Sequence, residues 1–185
     1  LSQLDRAELH RRDLNVEMTI DAVTGLPQIG IYGGVFKAGG PGGFEKPILF
    51  DPASGSFHVQ DTGRQIFNAY ATSVIPVWSK SKGIMSQVFF GGIGHGVYHT
   101  TDDPIGLDND GMPFGMDISV LTHSRSGDWA EYVLPDPVPG QQLLGANSVF
   151  ITDPTLRQSG TIEHETIVNL DDLPEGQTTL VGWIH

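Results

Sequence analysis

Apolar and polar side chains alternate in short runs along this chain, and no run is long enough to wind a helix. Leu14-Asn15-Val16-Glu17-Met18-Thr19-Ile20 keeps a period of two, the pattern of a half-buried strand. The turn Thr24-Gly25-Leu26-Pro27 leads to a second strand over 28–36, and Pro47-Ile48-Leu49-Phe50 predicts a third. Asp51-Pro52-Ala53-Ser54-Gly55 then delivers Phe57-His58-Val59 as a fourth. The order recurs with strands predicted over 71–78, 85–93, 114–123 and 129–134, the first two joined by Lys80-Ser81-Lys82-Gly83. After the link Pro135-Asp136-Pro137-Val138-Pro139-Gly140, a third unit opens with strands at 143–151 and 178–184.

Two glycine doublets tie the units together. Ile31-Tyr32-Gly33-Gly34-Val35 returns as Phe89-Phe90-Gly91-Gly92-Ile93, 58 positions later. A doublet inside a strand lets the backbone pass close to a neighbour, where a Cβ would clash. A Ser-Gly turn and an aromatic follow each copy, ending at Phe57 and at Trp129. A unit of four short strands that repeats every several dozen residues predicts an all-β chain, a radial array of small antiparallel sheets. The predicted boundaries are 1–66, 67–138 and 139–185: two four-stranded units and the start of a third. The second unit carries its additional residues between its second and third strands, where repeat proteins build binding loops.

Composition narrows the chemistry. The 185 residues are 38% hydrophobic, enough for one domain with a real core, and 24 glycines with 12 prolines suit an all-β chain rather than a helical one. A net charge of −12 repels polyanions, which argues against nucleic-acid binding. The absence of cysteine removes disulfides, thiolate metal sites and a thiol nucleophile. No apolar run reaches the roughly 20 residues of a membrane-spanning helix. Leu1 in place of methionine and the apolar run that stops at His185 are what a piece of a longer protein is expected to show, with a third glycine pair just beyond.

The doublets, the Ser-Gly-aromatic turns and the four-strand spacing resemble kelch-type β-propellers. Asn68-Ala69-Tyr70 through Phe89-Phe90-Gly91-Gly92-Ile93, with Leu143-Leu144-Gly145-Ala146, is similar to the secreted kelch-like propellers of Bacteroidetes, which often carry a sorting domain for type IX export. The resemblance implies a partial propeller of about two and a half blades on an extracellular or cell-surface protein. Its open edges would be completed by the rest of the parent chain or by another protein. The units here are longer than a standard kelch repeat, and no sorting domain is present.

Candidate chemistry gathers in the long loop of the second unit. Asp108-Asn109-Asp110-Gly111 has the alternating oxygen ligands and turn glycine of calcium loops, and Asp117 or Asp102 could add a ligand only if the loop folds back. The run lacks the distal glutamate of a complete calcium loop, and it is equally a good turn former. His95 and His99 share a strand face but sit roughly 13 Å apart by strand rise, too far for one metal unless Gly94 and Gly96 bend the chain. With Tyr98 between them, they read as loop contacts for a glycan or protein. Two function classes follow. One is a recognition or scaffold module; the other is a carbohydrate-active enzyme whose carboxylates, from among Asp102, Asp103, Asp117, Glu163 and Glu165, converge on an axial channel. A copper-radical oxidase is excluded, since its cross-linked tyrosine needs a cysteine. No phosphate loop, Gly-x-Ser-x-Gly elbow or dinucleotide fingerprint is present.

Overall fold

A computed structural model of the chain describes residues 7–37, 43–67, 69, 71–94, 114–141, 143–144 and 147–185. Regular structure among the described residues is mostly strand. The first sheet is a four-stranded antiparallel meander of β1 (Asn15–Ile20), β2 (Pro27–Tyr32), β3 (Ile48–Asp51) and β4 (Ser56–Val59), side by side in chain order. The second begins the same way, with β5 (Ser73–Ser79), β6 (Ile84–Ile93), β7 (Phe114–Ser124) and β8 (Trp129–Val133). A third, two-stranded sheet pairs β9 (Phe150–Thr152) with β12 (Gly182–Ile184).

The second sheet departs from the expected four strands. Between β9 and β12 the chain forms the short helix α1 (Pro154–Ser159) and the hairpin β10 (Ile162–Glu163) and β11 (Ile167–Asn169). Strand β11 then joins the open edge of β5 in parallel, through Val168 opposite Val77, making six strands. An uncovered edge exposes unpaired N–H and C=O groups, and β11 removes that liability from part of β5. Its Ile167, fully buried, packs with Ile20, Ala22, Trp78 and Met85. The carboxylate of Asp171 locks this insert down, accepting from the hydroxyls of Ser79 and Ser81 and the N–H of Ser81 at 2.7–2.9 Å.

Both glycine doublets have left-handed backbone at both positions: φ is 61° and 100° at Gly33 and Gly34, and 68° and 89° at Gly91 and Gly92. Close approach also operates, as the sequence suggests. A Cβ on Gly91 would lie 2.6 Å from the carbonyl oxygen of Gly115, and one on Gly34 3.1 Å from that of Arg12. In the second sheet the doublet is a bulge that shifts the β6–β7 register between Phe90 and Gly92. Gly91→Ala combines positive φ with a backbone clash, and it is expected to cost about 2–3 kcal/mol, read from urea unfolding midpoints. At Gly25, also at positive φ but with open space around it, the same change should cost clearly less.

The two large sheets pack through faces that are not equivalent. Cross-strand partners share a face, so Tyr32 belongs with Asn15, while Ile31 and Val16 point the other way. Tyr32 is buried and meets the edge of Phe89, centroids 5.8 Å apart and planes at 74°. The 58-residue offset makes Phe90 the counterpart of Tyr32, and Phe90 lies on the opposite face from Phe89. The far ends of the sheets agree. Trp129 packs onto the cluster of Tyr32, Ala69, Val74, Phe89 and Leu121, whereas its counterpart Phe57 sits on the face of its sheet opposite Tyr32, against Phe50 at 4.7 Å. The two large sheets therefore meet through unlike faces.

The leading strands of the sheets meet in sequence. Asn15 of β1 donates from Nδ2 to the Ala69 carbonyl and accepts the Thr72 N–H at 3.1 Å, just ahead of β5. Its counterpart Ser73 opens β5, and the Ser73 N–H donates to the Ser148 hydroxyl at 3.1 Å, just ahead of β9. Asn147 N–H adds a bond to the Ala71 carbonyl at 2.9 Å. One step of the stack is thus repeated in the next.

Candidate functional site

Of the residues singled out from the sequence, His95, Tyr98, His99, Asp108 and Asp110 lie outside the described residues. Asp117 is described, and it is buried near the start of β7. It lines a recess of about 10 Å³ beside Gly91, Gly92 and Gly115, space for roughly one water molecule. Among the described residues, no three His, Asp or Glu side chains are placed to share a metal ion. The bulge at the doublet explains why Asp117 is enclosed. Phe90 pairs with Ile118 and Gly92 with Gly115, so Asp117 falls in the register shift beside the glycines.

The more developed site lies where β1, β5 and β9 come together. A cleft of about 220 Å³ opens between them. Its polar lining is Glu17, Thr72, Ser73, Ser148 and Thr166; Val74, Pro76, Val149 and Phe150 supply an apolar wall. Glu17 is placed by the register of β1, where it pairs with Gly30 and shares the face of Asn15 and Tyr32, the face turned to the second sheet. Burial pushes the Glu17 carboxyl up to about 7, so half of it is neutral at that pH. The Ser73 hydroxyl is buried without a hydrogen-bond partner, and the enclosed Thr166 hydroxyl also lacks one. No protein-family model and no curated protein matches this chain. Reading the site therefore rests on its geometry.

A second groove, about 430 Å³, runs between the sheets at their hairpin ends. It brings together Asp21, Asp51, His58 and His123, two acids and two imidazoles from both sheets. The carboxylates there are engaged in turns. Asp21 accepts the N–H groups of Val23 and Thr24 at 2.8 and 3.1 Å. The Ser54 hydroxyl and the Ala53 N–H hold Asp51 below the usual carboxylate range. His123 lies stacked on Trp129, centroids 4.5 Å apart, and burial lowers its pKa against the opposing pull of Asp21. The groove is a seam between hairpins whose acids build turns rather than face an open centre.

The sequence reading passed over Glu17 because it sits at a polar position of an alternating strand, where solvent is the expected surrounding. It also passed over Glu131 on β8. That carboxylate accepts the N–H groups of Ile66 and Phe67, the latter at 3.3 Å, and pins the segment between the two sheets. Glu163, one of the acids considered for a channel, accepts from Asn169 Nδ2 at 2.8 Å within the β10–β11 hairpin. No signal in the sequence alone separates these carboxylates from the solvated ones. What distinguishes them is which face the next sheet covers.

Proposed function

We propose that this chain is a recognition module built as part of a kelch-like β-propeller, exported to the cell surface or beyond, that meets a glycan or protein through its loops. The carrying observation is the face-to-tail packing of the sheets. An interface between unlike surfaces of equivalent units is heterologous, and a heterologous step repeated with rotation generates a ring. The successive approach of β1 to β5 and β5 to β9 fits leading strands gathered around an axis, as in a propeller. The two-fold packing of a simple sandwich would bring like faces together instead.

Binding is favoured over hydrolysis by the cleft between β1, β5 and β9. Glycoside hydrolysis uses two carboxyl groups roughly 5–10 Å apart across the bond. Glu17 is the one carboxyl among the described lining residues of the cleft, with hydroxyls and apolar groups around it. The loop residues His95, Tyr98 and His99 remain the proposed outer contacts, with calcium at Asp108 and Asp110 as a stiffener of the same loop.

The reading is tested by binding to immobilised polysaccharides and glycoproteins, with chromogenic glycosides assayed in parallel. The expected result is saturable binding that Tyr98→Ala weakens at least tenfold, about 1.4 kcal/mol, without turnover. Glycoside turnover that Glu17→Gln abolishes would replace recognition with the carbohydrate-active alternative.

A further inference from the structure

Each large sheet has one face that the other does not cover. On the first sheet the row Val16, Ile31, Ile48 and Val59 crosses all four strands on the face away from Tyr32. On the second, the row Ile75, Val88, Val120 and Tyr132 crosses β5 to β8 on the face away from Phe89. Every paired position on the first of these faces is apolar, and the second adds only apolar and hydroxyl side chains. The chain has 22 acidic and 10 basic residues, yet none stands on either face within the paired strands. The faces that do meet hold Glu17, Asp51 and Glu131. A strand face left to water is normally polar, so this is the reverse of the expected distribution. Only Ile48 of the two rows is fully buried; Val16 is 55% and Tyr132 57% exposed. The sheet of β9 and β12 comes up to the second sheet along β5, at the other end of the row from Tyr132.

We propose that these two faces are the halves of one interface between copies of this chain, the Val16 face of one copy docking on the Tyr132 face of the next.

The occupant follows from the interface already formed inside the chain. Its halves are the Tyr32 face of the first sheet and the Phe89 face of the second. By the 58-residue offset Phe90 is the counterpart of Tyr32, and Ile31 that of Phe89. Phe90 shares the open face of Val88, and Ile31 that of Val16. A second copy therefore brings to each open face the kind of surface its counterpart already meets. A partner with charged groups at the contact would bury them unpaired against either row. Contact between unlike surfaces is heterologous, so it continues from copy to copy until a ring closes. The charge of −12 on each copy opposes the approach. Salt shortens the reach of that repulsion, from about 8 Å at 0.15 M to about 3 Å at 1 M, while apolar contact remains.

The inference rests on the packing of the sheets and not on the loops, so Tyr98→Ala, which decides the loops, leaves it unchanged. Sedimentation velocity of the intact chain provides the test. The average mass should rise across roughly 1–200 µM protein, and rise further in 1 M salt. Val16→Glu and Tyr132→Glu replace exposed residues and should each keep the native far-UV spectrum while staying monomeric throughout. Should either lose that spectrum, Ile31→Thr or Val120→Thr, in the same rows, takes its place. Mixed in equal amounts, the two variants should form one-to-one dimers and nothing larger, because one intact half survives on each. The proposal is overturned if the parent chain stays monomeric in both salts, if a folded variant alone associates as the parent does, or if the mixture remains monomeric.

Discussion

Phe89→Ala is expected to lower the free energy of unfolding by about 3–5 kcal/mol, the usual cost of deleting a buried aromatic ring. The side chain is wholly buried, and it joins both large sheets to the segment between them through Tyr32, Val74, Ala69 and Leu121. A domain of this size has roughly 5–15 kcal/mol in hand, so the variant should sit near the edge of folding. Val88 on the same strand faces the other way and is half-buried. Val88→Ala should therefore cost about 1–2 kcal/mol by the methyl groups lost. Guanidinium unfolding of the three proteins makes the comparison. Equal costs at 88 and 89 would mean that the inner face of the second sheet is not where the structure puts it.

Stability is also expected to fall as pH rises from about 5 to 7, the reverse of the behaviour of salt-bridged acids. Burial pushes Glu131 up to about 7 from an ordinary 4.5, against the opposing help of the Ile66 and Phe67 N–H groups and Ser119. Glu17 is pushed to about 7 by burial alone. Below the unfolded value both states hold the proton, and neither group matters. Between about 4.5 and 7 the unfolded chain ionises while the folded protein does not, so unfolding gains. Above that range the penalty is constant. Each group can contribute up to about 3 kcal/mol over the window. Asp51, Asp153 and Asp171 work in the opposite sense. Hydrogen bonds hold all three below 3.8, so their contribution is lost only in stronger acid. The stability maximum should then fall near pH 4.5–5. Glu131→Gln keeps an acceptor for the Ile66 N–H but cannot ionise. It should remove about one proton's worth of slope between pH 5 and 8 and be more stable than the parent at pH 8. Parallel pH profiles for variant and parent would contradict the burial of this carboxyl.

Much of the architecture can be read from residue pattern alone, for physical reasons that also mark where reading stops. Strands β1 to β8 lie within a few residues of their expected positions, because alternation and hairpin glycines act locally. The second strand is the main difference. It ends at Tyr32, before its doublet, whereas β6 carries an equally left-handed doublet through to Ile93 as a bulge paired with β7. Alternation finds a strand without saying what covers each face. Val16 looks like a core residue and is half exposed, while Asn15 and Thr19 are buried on the face toward the second sheet.

The insert between β9 and β12 escaped the pattern, although its helix carries readable signals. Asp153 caps α1 by accepting the Thr155 N–H, Pro154 opens the helix, and Gly160 closes it at φ 80°. Strand β11 has three residues, too few for a period to show, and its parallel partner β5 is some ninety residues away. The cleft between β1, β5 and β9 was illegible for a related reason. Glu17, Ser73, Ser148 and Thr166 come from four distant segments, and only the stacking of the sheets assembles them.

That stacking is tested most directly by double-mutant cycles across the interface, with leucine replacing each aromatic so that the fold survives. Tyr32 and Phe89 should show a coupling of about 0.5–1.5 kcal/mol, as an edge-on aromatic pair does, and Tyr32 with Phe90 should be additive. Coupling at Tyr32–Phe90 with none at Tyr32–Phe89 would mean that like faces meet, and face-to-tail packing would be wrong.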